Sequence, residues 1–231
     1  MKNINTILAV GAVTAVCGGV EAAVVVGWDF SGVGSFGTSP LAPTTFDANV
    51  SYGGLARGAG IGTQGSAAAN AWGGSMVAAQ PTKAAAIEAG QFVSFSISVN
   101  PDIELDCAEI SAYNVRRSPT GPASGQWQYR LLSSVEWTDV GAQASFSNAT
   151  SSGNAMAAID LSGVGELQGL SGTNVYFRLV VFGNTGGGTF YFRDFQSGLD
   201  LSVNGTVSAI PAPGALALLG VAGLIGSRRR R

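Results

Sequence analysis

The sequence contains no histidine, which removes the commonest general base and the commonest metal-ligating side chain together. A Ser-His-Asp triad is therefore impossible, however many serines the chain holds. Cysteine is almost as scarce. Cys17 and Cys107 are the only two, and Cys17 lies in an N-terminal leader-like segment, which leaves the body one thiol and no internal disulfide. With no histidine to activate it, Cys107 reads as a small buried hydrophobe. Charge is sparse as well. Only 11% of residues are Asp, Glu, Lys or Arg, too few for the polar faces that amphipathic helices need. The glycine-rich stretch Gly183 to Gly188 lacks the Gly-Lys-Ser/Thr ending of a phosphate loop, so nucleotide binding has no support.

What is abundant is glycine, 34 residues of 231, with frequent serine and threonine. Such a chain spends many residues on turns and suits a β-rich extracellular protein. The formal net charge of −2 hides an uneven distribution. Five of the 12 Lys and Arg, but one of the 14 acidic residues, lie outside Ala23 to Thr206, leaving seven against 13 and a body of about −6. An acidic body repels phosphate backbones, so no nucleic-acid partner is expected.

Both ends read as addresses. Lys2 gives a positive start, Ile7 to Val16 an apolar run, and Val20-Glu21-Ala22 a signal-peptidase site, so residues 1–22 are expected to be a signal peptide. A lipoprotein alternative would modify Cys17, but Thr14-Ala15-Val16 is a poor lead-in for it. Residues 208–231 hold Pro211-Ala212-Pro213, an uncharged stretch from Gly214 to Gly226, then Arg228, Arg229, Arg230 and Arg231. The prolines end the preceding strand. Val207 to Gly226 is long enough, at about 1.5 Å per residue, for a transmembrane helix across a core of about 30 Å, and the arginines keep the end cytoplasmic. The apolar part is short and glycine-bearing, which suits a temporary anchor. An ordinary tail anchor is the alternative.

Proline dyad, short apolar helix and terminal arginine cluster together resemble the PEP-CTERM sorting signal, over about 22 residues from Ile210 to Arg231. Ala212 stands where the name-giving motif has Glu. The resemblance implies signal peptidase and a membrane-embedded exosortase as partners during export, transient membrane insertion, and delivery to the cell surface or an exopolysaccharide matrix.

Between the ends, residues 23–207 carry period-two patterning. Val93, Phe95, Ile97 and Val99 alternate with serines, Trp127, Tyr129 and Leu131 with Gln128 and Arg130, and Val135 and Trp137 flank Glu136. Val175, Phe177, Leu179 and Val181 face one way and Tyr176, Arg178, Val180 and Phe182 the other, with further strands over Phe190 to Phe195 and Leu199 to Val207. Turn signals at Ser118 to Pro122, Ser152 to Asn154 and Gly183 to Gly188 separate the runs. This predicts an all-β fold, an antiparallel β-sandwich with a jelly roll as the expected arrangement. Ile103, Leu105 and Cys107 share one phase and Ala108, Ile110 and Ala112 the next, which predicts a β-bulge near Cys107. Gly32 to Gly90 lacks strand-length apolar runs and reads as irregular, with Ala67 to Ala71 and Ala84 to Ala89 as short helical turns or loops laid across the sheet and Trp72 as a packing anchor. Trp28-Asp29-Phe30, Asn70-Ala71-Trp72, Arg117 to Pro122, Phe177-Arg178-Leu179 and the closing strand look like a group of exported proteins that carry this kind of tail. That resemblance implies a jelly-roll sandwich with no established catalytic activity.

Three constellations are candidates for chemistry. Asp102, Glu104 and Asp106 would share one strand face, as a solvated acidic edge, a Ca²⁺ site or a glycosidase acid–base set. Arg116 and Arg117 could receive acidic sugars or pair with that acidic strand. Among the aromatics, Trp127 and Trp137 point inward by their alternation, and Trp72 is the better exposed, glycan-stacking candidate. The leading expectation is a non-enzymatic surface or matrix protein that is structural, adhesive or weakly glycan-binding, without a cofactor. The alternatives are a carbohydrate-active enzyme using carboxylates and a Ca²⁺-stabilised adhesion module.

Overall fold

The computed structural model describes residues 22–211. The signal peptide, apart from Ala22, and the tail from Ala212 onward, with Pro213 and Arg228 to Arg231, lie outside the described residues. Pro211 is the last of them and follows the final strand by two residues.

The described chain is almost entirely strand. In order it forms β1 (Ala23–Trp28), β2 (Thr45–Phe46), β3 (Val50–Arg57), β4 (Ile61–Gly62), β5 (Ala71–Met76), α1 (Lys83–Glu88), β6 (Phe92–Val99) and β7 (Ile103–Ile110). There follow β8 (Tyr113–Arg117), β9 (Ser124–Leu131), β10 (Thr138–Ser145), β11 (Asn154–Met156), β12 (Ile159–Asp160), β13 (Asn174–Phe182), β14 (Thr189–Arg193) and β15 (Leu201–Ala209). No helix among the described residues is long and apolar enough to cross a membrane.

The strands make three five-stranded antiparallel sheets. The first runs β12-β7-β15-β1-β2, the second β10-β9-β13-β6-β3 and the third β11-β8-β14-β5-β4. One apolar cluster joins all three. Trp28 of the first sheet meets Phe95 of the second at 4.9 Å between ring centroids, and Trp127 of the second meets Phe192 of the third at 6.4 Å. The Trp127 indole N–H donates to the Tyr113 hydroxyl at 3.1 Å, so the largest ring buries no unpaired donor.

The alternation expected for β6, β9 and β13 is borne out. Val93, Phe95, Ile97 and Val99 are buried, as are Trp127 and Tyr129, with Leu131 partly buried against the same core, and as are Val175, Phe177, Leu179 and Val181. On the reverse face of β13, Val180 and Phe182 are sealed by Ala86 of α1. The bulge on β7 is present: Glu109 pairs with Asn204 but Cys107 with Gly205, leaving Ala108 as the extra residue. It lets Leu105, Cys107 and Ile110 all face the core.

Two expectations need correction. Gly32 to Gly90 is more regular than its composition suggested, since it holds β2 to β5 as well as α1. The helical turn falls at Lys83–Glu88, where the Thr82 hydroxyl caps the Ala85 N–H, while Ala67 to Asn70 is irregular. Val135 and Trp137 do not form a strand. They lie in the connection between β9 and β10, where Val135 is 82% exposed.

Candidate functional site

The three carboxylates of the acidic strand have separate surroundings. Asp102 precedes β7 and is exposed, Glu104 faces solvent, and the Asp106 carboxylate accepts the Gly169 N–H at 2.7 Å. Among the described residues no three acidic or cysteine side chains come together to hold a metal ion, and Asp102, Glu104 and Asp106 form no such group. Glu109, one bulge further on, accepts from Asn204 at 2.8 Å.

Trp72 is corrected as a sugar-stacking candidate. It sits on β5, fully enclosed, with its indole N–H donating to the Thr38 carbonyl at 2.7 Å and the Arg57 guanidinium 4.7 Å from its ring centroid. It is the packing anchor instead.

Arg116 and Arg117 end β8 in the third sheet, whereas the acidic strand is in the first, so the expected pairing does not form. Arg117 is consumed by its own turn: its Nε donates to the Phe146 carbonyl, and its Nη1 to those of Ser118, Pro119 and Gly121. Arg116 points outward, cross-strand from Tyr191.

The residue that alternation misplaced is Trp137. It lies half-buried over the outer face of the second sheet, because the β9–β10 connection folds back across that face. The Arg178 guanidinium stacks on its ring at 4.0 Å from the centroid, and the Arg130 guanidinium reaches both Trp137, at 5.4 Å, and Tyr176, at 4.8 Å. Register places these groups. Tyr176 of β13 is cross-strand from Arg130 of β9 and from Ser96 of β6, and Arg178 from Gln128 and Ser94.

The charges on this face are held in a chain. Arg178 Nε donates to Gln128 at 2.7 Å, Gln128 donates to Asp139 at 2.6 Å, and Lys83 from the start of α1 pairs with the same carboxylate. Burial raises the Asp139 carboxyl, but hydrogen bonds from Lys83 and Gln128 and the charges of Lys83 and Arg178 outweigh it and bring the group below its ordinary value. Burial first, and then the neighbouring Arg130, lower Arg178 to about 10, which leaves it cationic at neutral pH.

Beside this ladder runs a groove of about 190 Å³, lined by Gly53 and Gly54 of β3, Ser94 and Ser96 of β6, Tyr176 and Trp137. A side chain on Gly53 would run into the Ser96 hydroxyl, so glycine at that position keeps the groove open. Aromatic rings and serine hydroxyls in one groove can take a ligand with an apolar face and polar rims. No family model, no curated protein and no solved structure matches this chain.

Proposed function

We propose that the protein is exported and sorted to the cell surface or extracellular matrix, and that there it holds polysaccharide on the outer face of its second sheet. The arrangement of Trp137, Tyr176, Arg130 and Arg178 beside the serine-lined groove carries this reading. Sugar rings offer C–H faces to aromatic rings and hydroxyls to serines, and Trp137, Tyr176, Ser94 and Ser96 line one groove. Stacking on Arg178 and Arg130 fixes the Trp137 ring before a ligand arrives, which lowers the ordering cost of a shallow site. A jelly-roll sandwich is the finer fold assignment that goes with this reading.

The sorting half rests on the sequence: the leader, and the PEP-CTERM-like tail with Pro211, Ala212, Pro213 and the arginine cluster. Exosortase removes the tail in this account and the body is released into the matrix, acting as a binding and structural component without catalysis. The carboxylate built into the aromatic face, Asp139, is tied to Lys83 and Gln128, and no second carboxylate among the described residues hydrogen-bonds into that network.

Two readouts on one preparation test this. Intact mass of the protein from native cells and matrix is expected to lack both the leader and the tail; a mass retaining Arg228 to Arg231 would make it a tail-anchored envelope protein. Affinity electrophoresis through soluble polysaccharides is expected to retard the protein, with Trp137→Ala weakening retention about tenfold. Unchanged retention in that variant would remove the aromatic face as the site.

A further inference from the structure

Seven cations lie among the described residues, and six of them are engaged. Lys83 pairs with Asp139. Arg57 donates to the carbonyls of Gly73, Phe36 and Gly37, and Arg117 to those of its turn. Arg130 and Arg178 are stacked on rings, and Arg193 reaches the Ser152 carbonyl at 3.2 Å. Arg116 alone has no hydrogen-bond acceptor, acid or ring among the described residues, although it is half-buried.

It stands in a recess of about 280 Å³ on the outer side of the third sheet. Hydroxyl side chains surround it: Ser66, Ser118, Thr150, Ser151, Thr189 and Tyr191. No acidic residue lines the recess. The walls are held by contacts that leave the guanidinium untouched. The Tyr191 hydroxyl donates to the Ser66 carbonyl at 3.2 Å, the Thr189 N–H donates to the Ser118 hydroxyl at 2.8 Å, and Arg117 pins the turn behind them.

We infer that this recess binds the carboxylate of an acidic sugar, with Arg116 as its counter-ion. A guanidinium presents a planar fork of donors that matches a carboxylate in bidentate fashion, and Arg116 has no protein acceptor to give up before it takes one. The ring of hydroxyls suits the remaining polar groups of a sugar. At about 280 Å³ the recess lies just below the range of about 300–1,000 Å³ usual for ligand pockets, a size that suits a small ligand such as a single sugar unit. The recess lies on a different sheet from Trp137, so it acts as a second contact that selects charged chains over neutral ones. That the carboxylate arrives on a sugar rests on the function proposed above; that the recess takes an anion does not.

The test uses the full chain in a detergent without a sugar headgroup, titrated calorimetrically with a tetramer of galacturonic acid, with its methyl ester and with acetate. The acidic tetramer is expected to bind at least about tenfold more tightly than the ester, the scale of one charge-assisted contact. Arg116→Gln is expected to erase that preference and Arg116→Lys to restore part of it, whereas Trp137→Ala should weaken both sugars alike and keep the preference. Loss of all binding in Trp137→Ala with the preference untouched in Arg116→Gln would overturn the site. Equal binding of acid and ester would also overturn it, and so would acetate competing as well as the tetramer, which marks a bare anion site. A preference that vanishes in Arg116→Gln while Trp137→Ala changes nothing supports this site and sinks the aromatic face.

Discussion

Asp200 shows how a charge-poor chain uses a buried acid. It is 1% exposed, yet its two oxygens accept the Phe30 N–H at 2.8 Å and the Phe195 N–H at 3.0 Å. It thereby ties the exit of β1 to the loop between β14 and β15, 170 residues apart. Burial first, and then repulsion from Asp194 and Asp29, hold its carboxyl above the ordinary value despite both hydrogen bonds. A carboxyl raised in the folded state stabilises most when protonated, so its contribution is full below the unfolded value and falls as pH rises through the folded one. Asp200→Ala orphans two buried N–H groups and is expected to cost about 3 kcal/mol in urea unfolding at pH 7. A loss below about 0.5 kcal/mol, on the order of an ordinary surface substitution, would show that water replaces the carboxylate. Cys107 is the opposite case, legible from sequence. Burial, with Asp106 beside it, pushes the thiol up to about 12, so the single body cysteine is inert packing. Trp137 was not legible at this scale, because alternation assigns a face only while the chain stays in a strand.

At the scale of elements, β5 explains why Gly32 to Gly90 gave so little signal. Ala71–Met76 contains Gly73 and Gly74, and between Trp72 and Met76 it has no alternation of large and small side chains. The strand is nevertheless buried along its whole length, because small residues let neighbouring backbones close in. A Cβ on Gly73 would strike the Phe190 carbonyl oxygen on β14, whereas one on Gly163 would meet nothing within 4 Å. Gly73→Ala is therefore expected to lower stability by about 2 kcal/mol, with Gly163→Ala near neutral, read from denaturant midpoints at constant slope. Equal effects would mean that β5 and β14 separate easily. The β7 bulge, by contrast, was readable, since a change of hydrophobic phase inside one apolar run has few other physical solutions.

For the whole molecule, the three sheets meet in one core, so no sheet has a separate interior to unfold by itself. Residues 22–211 are expected to melt in one transition, with tryptophan fluorescence and far-UV circular dichroism coincident in urea; a sheet that came apart first would split the two curves. By itself the sequence determined the all-β class, the inward rows of β6, β9 and β13, the acidic body without histidine chemistry, and the expectation of export. These follow from composition and from short-range periodicity, both of which are local properties. The tertiary structure alone decided which polar groups share a surface. It gathered no three-ligand cluster around Asp102, Glu104 and Asp106, enclosed Trp72, brought Trp137 over Arg178, and left Arg116 unpaired in a hydroxyl-lined recess. Contacts of that kind depend on strand order and on the course of connections, and residues dozens of positions apart carry no local trace of either.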